Sequence, residues 1–170
     1  PVGVGLYQNP VKDQKPQGPW VERYDLARYP GAVYYDGVEA LIETIMASAG
    51  PITLVCIGPL TNIKDALERE PRIAARAHFV GMHGSVRRRQ ANGEAIAEYN
   101  VKKDAAAAQV VFAAPWRDPT ITPLDSCAQV RLRGEKYAAV TRSAHPLPRA
   151  VIENHRIWLQ GKPDTESSIL

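Results

Sequence analysis

The sequence predicts an α/β fold in which a mainly parallel sheet is flanked by helices. Short apolar runs alternate along the chain with segments whose apolar residues recur at helical spacing. The run 52–57 is almost continuously apolar and rich in β-branched residues, which suits a strand covered on both faces of a parallel sheet. Gly58 and Pro59 end that run, and a helical pattern follows at once. We therefore expect βα units of the Rossmann-like kind, joined by right-handed crossovers.

The elements are expected in the following order. Residues 1–35 are predicted to be mostly loop, because prolines and glycines punctuate them. An amphipathic helix over 37–49 follows, with Asp36 as its N-cap and the Gly-Pro pair after it as its stop. Further strands are expected at 52–57, 77–82 and 119–124, and further helices after Asn62 up to Pro71, at 105–114, at 135–144 and at 149–160.

Length, net charge and cysteine content limit the kinds of protein that this chain can be. The length of 170 residues suits a single domain with a real core. The sequence has 21 Lys and Arg and 18 Asp and Glu, so its net charge is +3. A charge this small does not indicate a nucleic-acid partner. No apolar stretch approaches about 20 residues, so no membrane span is expected. Cys56 and Cys127 lie far apart and are interpreted as free thiols of a cytoplasmic protein.

Two places in the sequence carry candidate chemistry. The turn at 58–59 lies where open α/β sheets bind ligands, although an ordinary βα unit without a ligand is the alternative. The polar loop after strand 77–82 contains Asn92, Glu98 and Asn100. One carboxylate and two amides suit a polyhydroxylated ligand such as a sugar, because they accept from and donate to hydroxyl groups. The alternative is a polar loop that ends in a helix cap, and both interpretations stay open at this point.

Single residues add weaker signals. His83 stands at a strand end, where a titratable group could face a cleft. Asp125 is a site candidate because it ends a predicted strand. Asp104 is better explained as a helix N-cap, and His155, on an apolar stripe, as a hydrogen-bonded core histidine. The sequence contains no phosphate loop, C-x-x-C pair or H-E-x-x-H motif.

Four short motifs follow one another with a spacing that one known family shows. They are Ile57-Gly58-Pro59-Leu60-Thr61-Asn62-Ile63, Val80-Gly81-Met82-His83-Gly84, Ala97-Glu98-Tyr99-Asn100 and Pro123-Leu124-Asp125. Each is weak alone, but the combination is specific, and it extends over essentially the whole chain. Together the motifs resemble the inosine-uridine preferring nucleoside hydrolases.

This resemblance implies an enzyme, an N-glycosidase that hydrolyses ribonucleosides to ribose and free base in purine and pyrimidine salvage. It implies calcium as the cofactor, with a calcium-bound water that an aspartate deprotonates and that attacks the anomeric carbon. The expected partner is a small-molecule nucleoside. The resemblance also implies a homo-oligomer for the full-length family.

The resemblance implies roles for the residues of this chain that match the family's functional positions. Ile57 matches the position whose backbone carbonyl binds calcium. Met82 matches the methionine beneath the sugar, and Asn92 fits the asparagine that binds ribose. Glu98 and Asn100 match the carboxylate and the amide that hold the sugar hydroxyls.

The sequence also departs from the family pattern. His83 stands where many members have glycine; we count it with the substrate-binding residues, as a position that could alter the pocket or mark a subgroup. The family's D-x-D-x-x-x-D-D cluster is absent, and so is the late acidic metal ligand, so no catalytic residue is assigned. We therefore expect a single partial domain over residues 1–170, incomplete at both ends, that binds calcium poorly and catalyses little.

Two other interpretations remain open. The chain could be a non-catalytic nucleoside- or ribose-binding fragment or pseudoenzyme, since the expected carboxylate cluster is absent. It could also be an unrelated Rossmann-like protein, although the missing glycine-rich fingerprint disfavours this.

Overall fold

The computed structural model describes residues 1–6, 17–87 and 93–161. These residues divide into two compact units. Of the described residues, the first unit contains 1–6 and those within 29–125, and the second contains 17–28 and 126–161. A single domain over all 170 residues stays a prediction.

The described elements alternate as expected for an α/β protein. The strands are β1 (Val2–Gly3), β2 (Val33–Tyr34), β3 (Ile52–Cys56), β4 (Ala77–Met82) and β5 (Arg117–Thr122). The helices are α1 (Gly18–Val21), α2 (Gly37–Ala47), α3 (Thr61–Arg69), α4 (Ile73–Arg76), α5 (Tyr99–Lys103), α6 (Ala105–Ala113), α7 (Leu124–Cys127), α8 (Gly134–Thr141) and α9 (Pro146–Leu159), with a 3₁₀ turn at Leu26–Arg28. None of the described helices is both long and apolar enough to span a membrane.

All strand pairs among the described residues are parallel, which confirms the predicted fold class. The strands β1 and β2 pair with each other, and a second sheet has the order β3-β4-β5. Parallel pairing places the carboxyl ends of β3, β4 and β5 along one edge of the second sheet. The loops that leave those ends therefore start close together, and the candidate residues lie on them.

The expectation that β3 is covered on both faces is wrong for the described structure. Successive side chains of a strand point to opposite faces, and those of Ile52, Leu54 and Cys56 face the core. On the other face, Val55 is 61% exposed. A β-branched apolar run indicates a strand, but it does not reveal which of its faces is packed.

The covered face of the sheet carries α2, α3 and α6. The predicted stripe of α3 is confirmed, because Ile63, Ala66 and Leu67 are all buried. Helix α2 begins at its predicted N-cap, where the Asp36 carboxylate accepts from Glu39 N at 2.9 Å. The core cluster comprises Val38, Ile42, Ile45, Cys56, Leu60, Ile63, Ala66, Leu67, Ile73, Ala74, Ala77, Phe79, Ala107, Ala108, Val111 and Trp116.

Strand β5 starts two residues earlier than the sequence suggested. The prediction placed its start at Pro119, which has no N–H for a ladder. The structure accommodates this proline with a register irregularity, because His78 pairs with Arg117 but Val80 pairs with Thr120. The extra residue lets β5 pass the proline and continue to Thr122.

The buried Cys56 thiol is expected to resist labelling. Burial raises the pKa of Cys56 to about 12, which leaves almost no thiolate at pH 8. Cys127 forms no disulfide and is of intermediate exposure. A chromogenic disulfide reagent at pH 8 should therefore modify one thiol per folded chain and two per chain in denaturant. Rapid modification of both thiols in the folded chain would contradict the position of Cys56 in the core.

Candidate functional site

Residues 82–84 connect the carboxyl ends of the three strands. The backbone N of His83 donates to the Thr122 carbonyl at the end of β5, over 3.2 Å. The Gly84 carbonyl accepts from Leu124 N at 2.8 Å. Gly84 has φ +78°, a backbone conformation that favours glycine. These bonds fix the segment that follows β4 against the segment that follows β5.

The Glu98 carboxylate accepts three backbone N–H groups. Its Oε2 atom accepts from Gly84 N at 3.0 Å and from Val101 N at 3.1 Å. Its Oε1 atom accepts from Asn100 N at 2.8 Å. Glu98 is only 5% exposed and is the N-cap of α5. Glu98 therefore connects the start of α5 to the loop after β4. The sequence pattern did not reveal this connection.

The Asn100 amide reaches the ends of two strands. Its Nδ2 atom donates to the Met82 carbonyl at 2.9 Å and makes a longer contact, 3.5 Å, with the Ile57 carbonyl. The same nitrogen lies 3.6 Å from Met82 Sδ. Four of the residues predicted for the site, Ile57, Met82, Glu98 and Asn100, are thus brought together at one edge of the sheet.

His83 lies at this edge but does not face a cleft, which corrects the expectation about its orientation. The residue is 1% exposed, and its Nε2 atom lies 3.0 Å from the Gly58 carbonyl. Because a carbonyl only accepts, Nε2 carries the proton and donates. The ring packs against Phe79 and edge-on against Phe112, with centroids 6.1 and 5.9 Å away. A side chain with apolar neighbours on two sides is held inward by burial.

The remaining predicted residues have other surroundings. Asn92 lies outside the described residues. The Asp125 carboxylate accepts from Val86 N at 2.8 Å and Arg87 N at 2.7 Å, so it holds the loop after β4. Asp104 is the N-cap of α6, as predicted, and also accepts from Thr61 Oγ1 at 2.9 Å. In the second unit, His155 is half-buried and stacks on Trp158.

Among the described residues, no group of three or more histidines, cysteines, aspartates and glutamates is arranged to hold a metal ion. Calcium takes about six to eight oxygen ligands, several of them carboxylates. The Ile57 carbonyl is one candidate oxygen, while both Glu98 oxygens already accept from backbone N–H groups. The described residues do not fit a calcium site by themselves.

Comparisons with known proteins agree on one family. Residues 5–163 match the family model of inosine-uridine preferring nucleoside hydrolases. The pyrimidine-specific ribonucleoside hydrolase RihB of Escherichia coli O1:K1 / APEC is 40% identical over 75 residues, which are 44% of this chain and 24% of that protein. The chain spans about a quarter to a third of the length of the curated relatives it matches.

Solved structures show the same fold. The inosine-uridine preferring nucleoside hydrolase of Bacillus anthracis superposes with a TM-score of 0.58 at 22% identity, over 81% of this chain and 47% of that one. The purine-preferring ribonucleoside hydrolase of Gardnerella vaginalis gives a TM-score of 0.64 at 22% identity, over 77% of this chain and 42% of that one.

The match to the family model extends over nearly the whole chain and includes all four motifs. The structure has the parallel α/β architecture of the solved relatives. The chain therefore belongs to the inosine-uridine preferring nucleoside hydrolase family.

Proposed function

We propose that this chain supplies the ribose-binding part of a nucleoside hydrolase that splits ribonucleosides into ribose and free base. The observation that carries the proposal is the convergence of Met82, Glu98 and Asn100, three polar or polarisable residues at neighbouring strand ends. In parallel α/β sheets this edge is the usual place for a ligand. Family membership supplies the class of reaction.

The hydrogen bonds of Glu98 leave it room for one sugar hydroxyl. A carboxylate has about four acceptor positions, two on each oxygen. Oε2 accepts from two backbone N–H groups and Oε1 from one. We propose that the remaining position on Oε1 accepts a ribose hydroxyl. The backbone bonds fix the direction of the carboxylate before the ligand arrives, which lowers the entropic cost of binding.

Asn100 and Met82 complete the proposed subsite. The Nδ2 atom of Asn100 is held by the Met82 carbonyl, so the amide has a defined orientation. We propose that its amide oxygen accepts from a second ribose hydroxyl and that the Met82 thioether packs beneath the sugar ring. Asn92 remains a proposed ribose ligand by family resemblance. His83 is not among the residues proposed to contact the sugar, because its side chain is buried.

The reaction is a hydrolysis. A water oxygen forms a bond to the anomeric carbon while the bond from that carbon to the base nitrogen breaks. One water proton stays on that oxygen, which becomes the C1 hydroxyl of ribose, and the other is removed by a proton acceptor and replaced by one that ends on the leaving nucleobase. Hydrogen bonds to the ribose hydroxyls that strengthen as the sugar gains oxocarbenium character would lower the barrier. The described residues contribute the hydrogen bonds that position the ribose. None of them is assigned as the proton acceptor.

Calcium is part of the proposal on family grounds. When bound, calcium would hold ribose hydroxyls and acidify an attacking water. The Ile57 carbonyl is the one proposed ligand among the described residues. A homo-oligomeric state is proposed on family grounds too. A cytoplasmic location is proposed because the two cysteines form no disulfide with each other.

The second candidate function is ribose or nucleoside binding without catalysis. The absence of the family's aspartate cluster from the 170-residue sequence favours it for this chain in isolation. Both candidates use the same subsite. They differ in whether the protein to which this subsite belongs hydrolyses the nucleoside that it binds.

We expect the isolated 170-residue chain to bind ribose and inosine but to hydrolyse inosine and uridine no faster than buffer in millimolar calcium. The reason is that the family's D-x-D-x-x-x-D-D cluster, which would activate water, is absent from the 170-residue sequence. Hydrolysis is measured by release of reducing sugar, and binding by calorimetry. Robust turnover would show that the aspartates are dispensable, whereas absence of binding to either ligand would overturn the proposed subsite.

A further inference from the structure

The short helix α5 carries Asn100 and depends on its neighbours for its position. It has five residues, and isolated helices shorter than about 12–15 residues are marginal in water. At the start of α5, the Glu98 carboxylate binds Gly84 N in the loop after β4. A second connection, at the end of the helix, is not explained by the proposed binding roles.

The end of α5 is connected to the turn after β3 through Asp104. This residue is the C-cap of α5, where its backbone N donates to the Val101 carbonyl at 3.2 Å, and it is also the N-cap of α6. Its Oδ1 atom accepts from Ala107 N at 2.9 Å. Its Oδ2 atom accepts from the Thr61 hydroxyl, also at 2.9 Å. An N-cap needs only the first of these two carboxylate bonds, so the bond to Thr61 serves another purpose.

Thr61 provides a fixed anchor for this bond. It is the first residue of α3, and it directly follows Pro59, whose ring fixes one backbone angle, and the fully buried Leu60. The apolar stripe of α3 is packed in the core. Asp104 is only 8% exposed, and hydrogen bonds to a carboxylate are stronger than those between neutral groups. The turn after β3 therefore holds Asp104, and with it the end of α5.

Asn100 lies between these two connections. Its Nδ2 atom donates to the Met82 carbonyl, at the end of β4, and contacts the Ile57 carbonyl, directly after β3. Glu98 ties α5 to the loop after β4, and Asp104 ties it to the turn after β3. A shift of α5 would move the amide away from both carbonyls. The direction of the Asn100 amide thus depends on both connections.

We propose that Thr61 is a positioning residue for the ribose subsite: through Asp104, its hydroxyl holds α5 against the end of β3 and sets the direction of the Asn100 amide. This inference rests on the proposed function, because the Asn100 amide oxygen is the proposed acceptor of a ribose hydroxyl. Thr61 contacts no sugar in this role. The threonine of the Gly-Pro-Leu-Thr-Asn turn thereby acts beyond the start of its own helix.

Ribose titration and NMR spectra of the labelled 170-residue chain test this role. Thr61→Val keeps the shape of the side chain and removes the hydroxyl. It should shift the side-chain amide resonances of Asn100 and weaken ribose binding about threefold to tenfold, the factor that corresponds to one hydrogen bond of ordinary strength. Thr61→Ser retains the hydroxyl, so it should keep the Asn100 resonances in place and the ribose affinity within about twofold of that of the unchanged chain.

Thr44→Val is the matched control, because it also removes a threonine hydroxyl from a helix, one that donates to the Ala40 carbonyl in α2. A Thr61 hydroxyl that only stabilises the fold would leave the ribose affinity of the folded chain as unchanged as this control does. Equal results for Thr61→Val and Thr44→Val, or a serine variant that behaves like the valine variant, would overturn the inference. Should Thr61→Val fail to fold, Thr61→Ala takes its place under the same criteria.

The two proposals fail in different ways. If the unchanged chain binds no ribose, the proposed function is wrong, and the Asn100 resonances of the Thr61 variants still decide whether the hydroxyl positions this amide. If the unchanged chain and Thr61→Val bind ribose equally well, the proposed function stands and the inference is wrong.

Discussion

Replacing Glu98 by alanine is expected to lower the free energy of unfolding by about 3–5 kcal/mol. Three backbone N–H groups lose a charged acceptor in a buried place, and a single bond of this kind contributes roughly 1.5–3 kcal/mol. The total is smaller than three such bonds because the three share one carboxylate and water replaces part of what is lost. Two of these three bonds, from Asn100 N and Val101 N, also form the N-cap of α5, so their loss weakens the start of that helix as well. Urea unfolding followed by circular dichroism measures the change. A loss of this size removes a large part of the stability of a small domain.

The control is Glu43→Ala, which removes an exposed carboxylate from α2 and should change the free energy of unfolding by less than about 0.5 kcal/mol. A Glu98→Ala chain that is as stable as this control would show that the three N–H groups find other partners. Glu98→Gln keeps one amide oxygen as an acceptor and should fall between the two. The glutamine variant is consequently the better probe of ribose binding.

Replacing Asn100 by leucine is expected to weaken ribose binding by a factor of about 5 to 150. Leucine has nearly the same shape but offers no group to a sugar hydroxyl, and a site that loses such a partner typically loses about 1–3 kcal/mol. The change also removes the bond to the Met82 carbonyl, which should lower stability by about 1 kcal/mol. Calorimetric titration with ribose measures the affinity.

Lys102→Ala is the matched control, because Lys102 is an exposed residue of the same short helix. Its ribose affinity should equal that of the unchanged chain. Equal ribose affinities for the Asn100→Leu and Lys102→Ala variants would show that Asn100 is not part of the proposed subsite. The role of the wild-type Asn100 amide in bonding to the end of β4 would be unaffected by that result.

Periodicity and local chemistry predicted much of the fold. The bounds of β4 agree residue for residue, because a short apolar run between loops allows little choice. The stripe of α3 and the caps at Asp36 and Asp104 depend on neighbours within four residues, which a sequence displays directly. These features are local, and local patterns suffice for them.

The features that the sequence did not reveal depend on distant segments. The unpacked face of β3 depends on what lies above the sheet, and nothing in the spacing of its residues reports that. The inward orientation of His83 follows from Phe79, Phe112 and the absence of a side chain on Gly81, which meet only after folding. The polar loop and the family motifs both pointed to Glu98, but its three backbone donors are seen only in the folded structure.

Titrating D-ribose into the isotope-labelled 170-residue chain, followed by amide NMR, tests directly whether the ends of β3 and β4 form a ribose site. The backbone amides of residues 82–84 and 98–101 and the side-chain amide of Asn100 should show the largest shifts and report one common dissociation constant. Resonances of α8 and α9, in the second unit, should stay in place. Shifts centred elsewhere, or no shifts at ribose concentrations of about 100 mM, a level that would saturate even a millimolar site, would contradict the assignment.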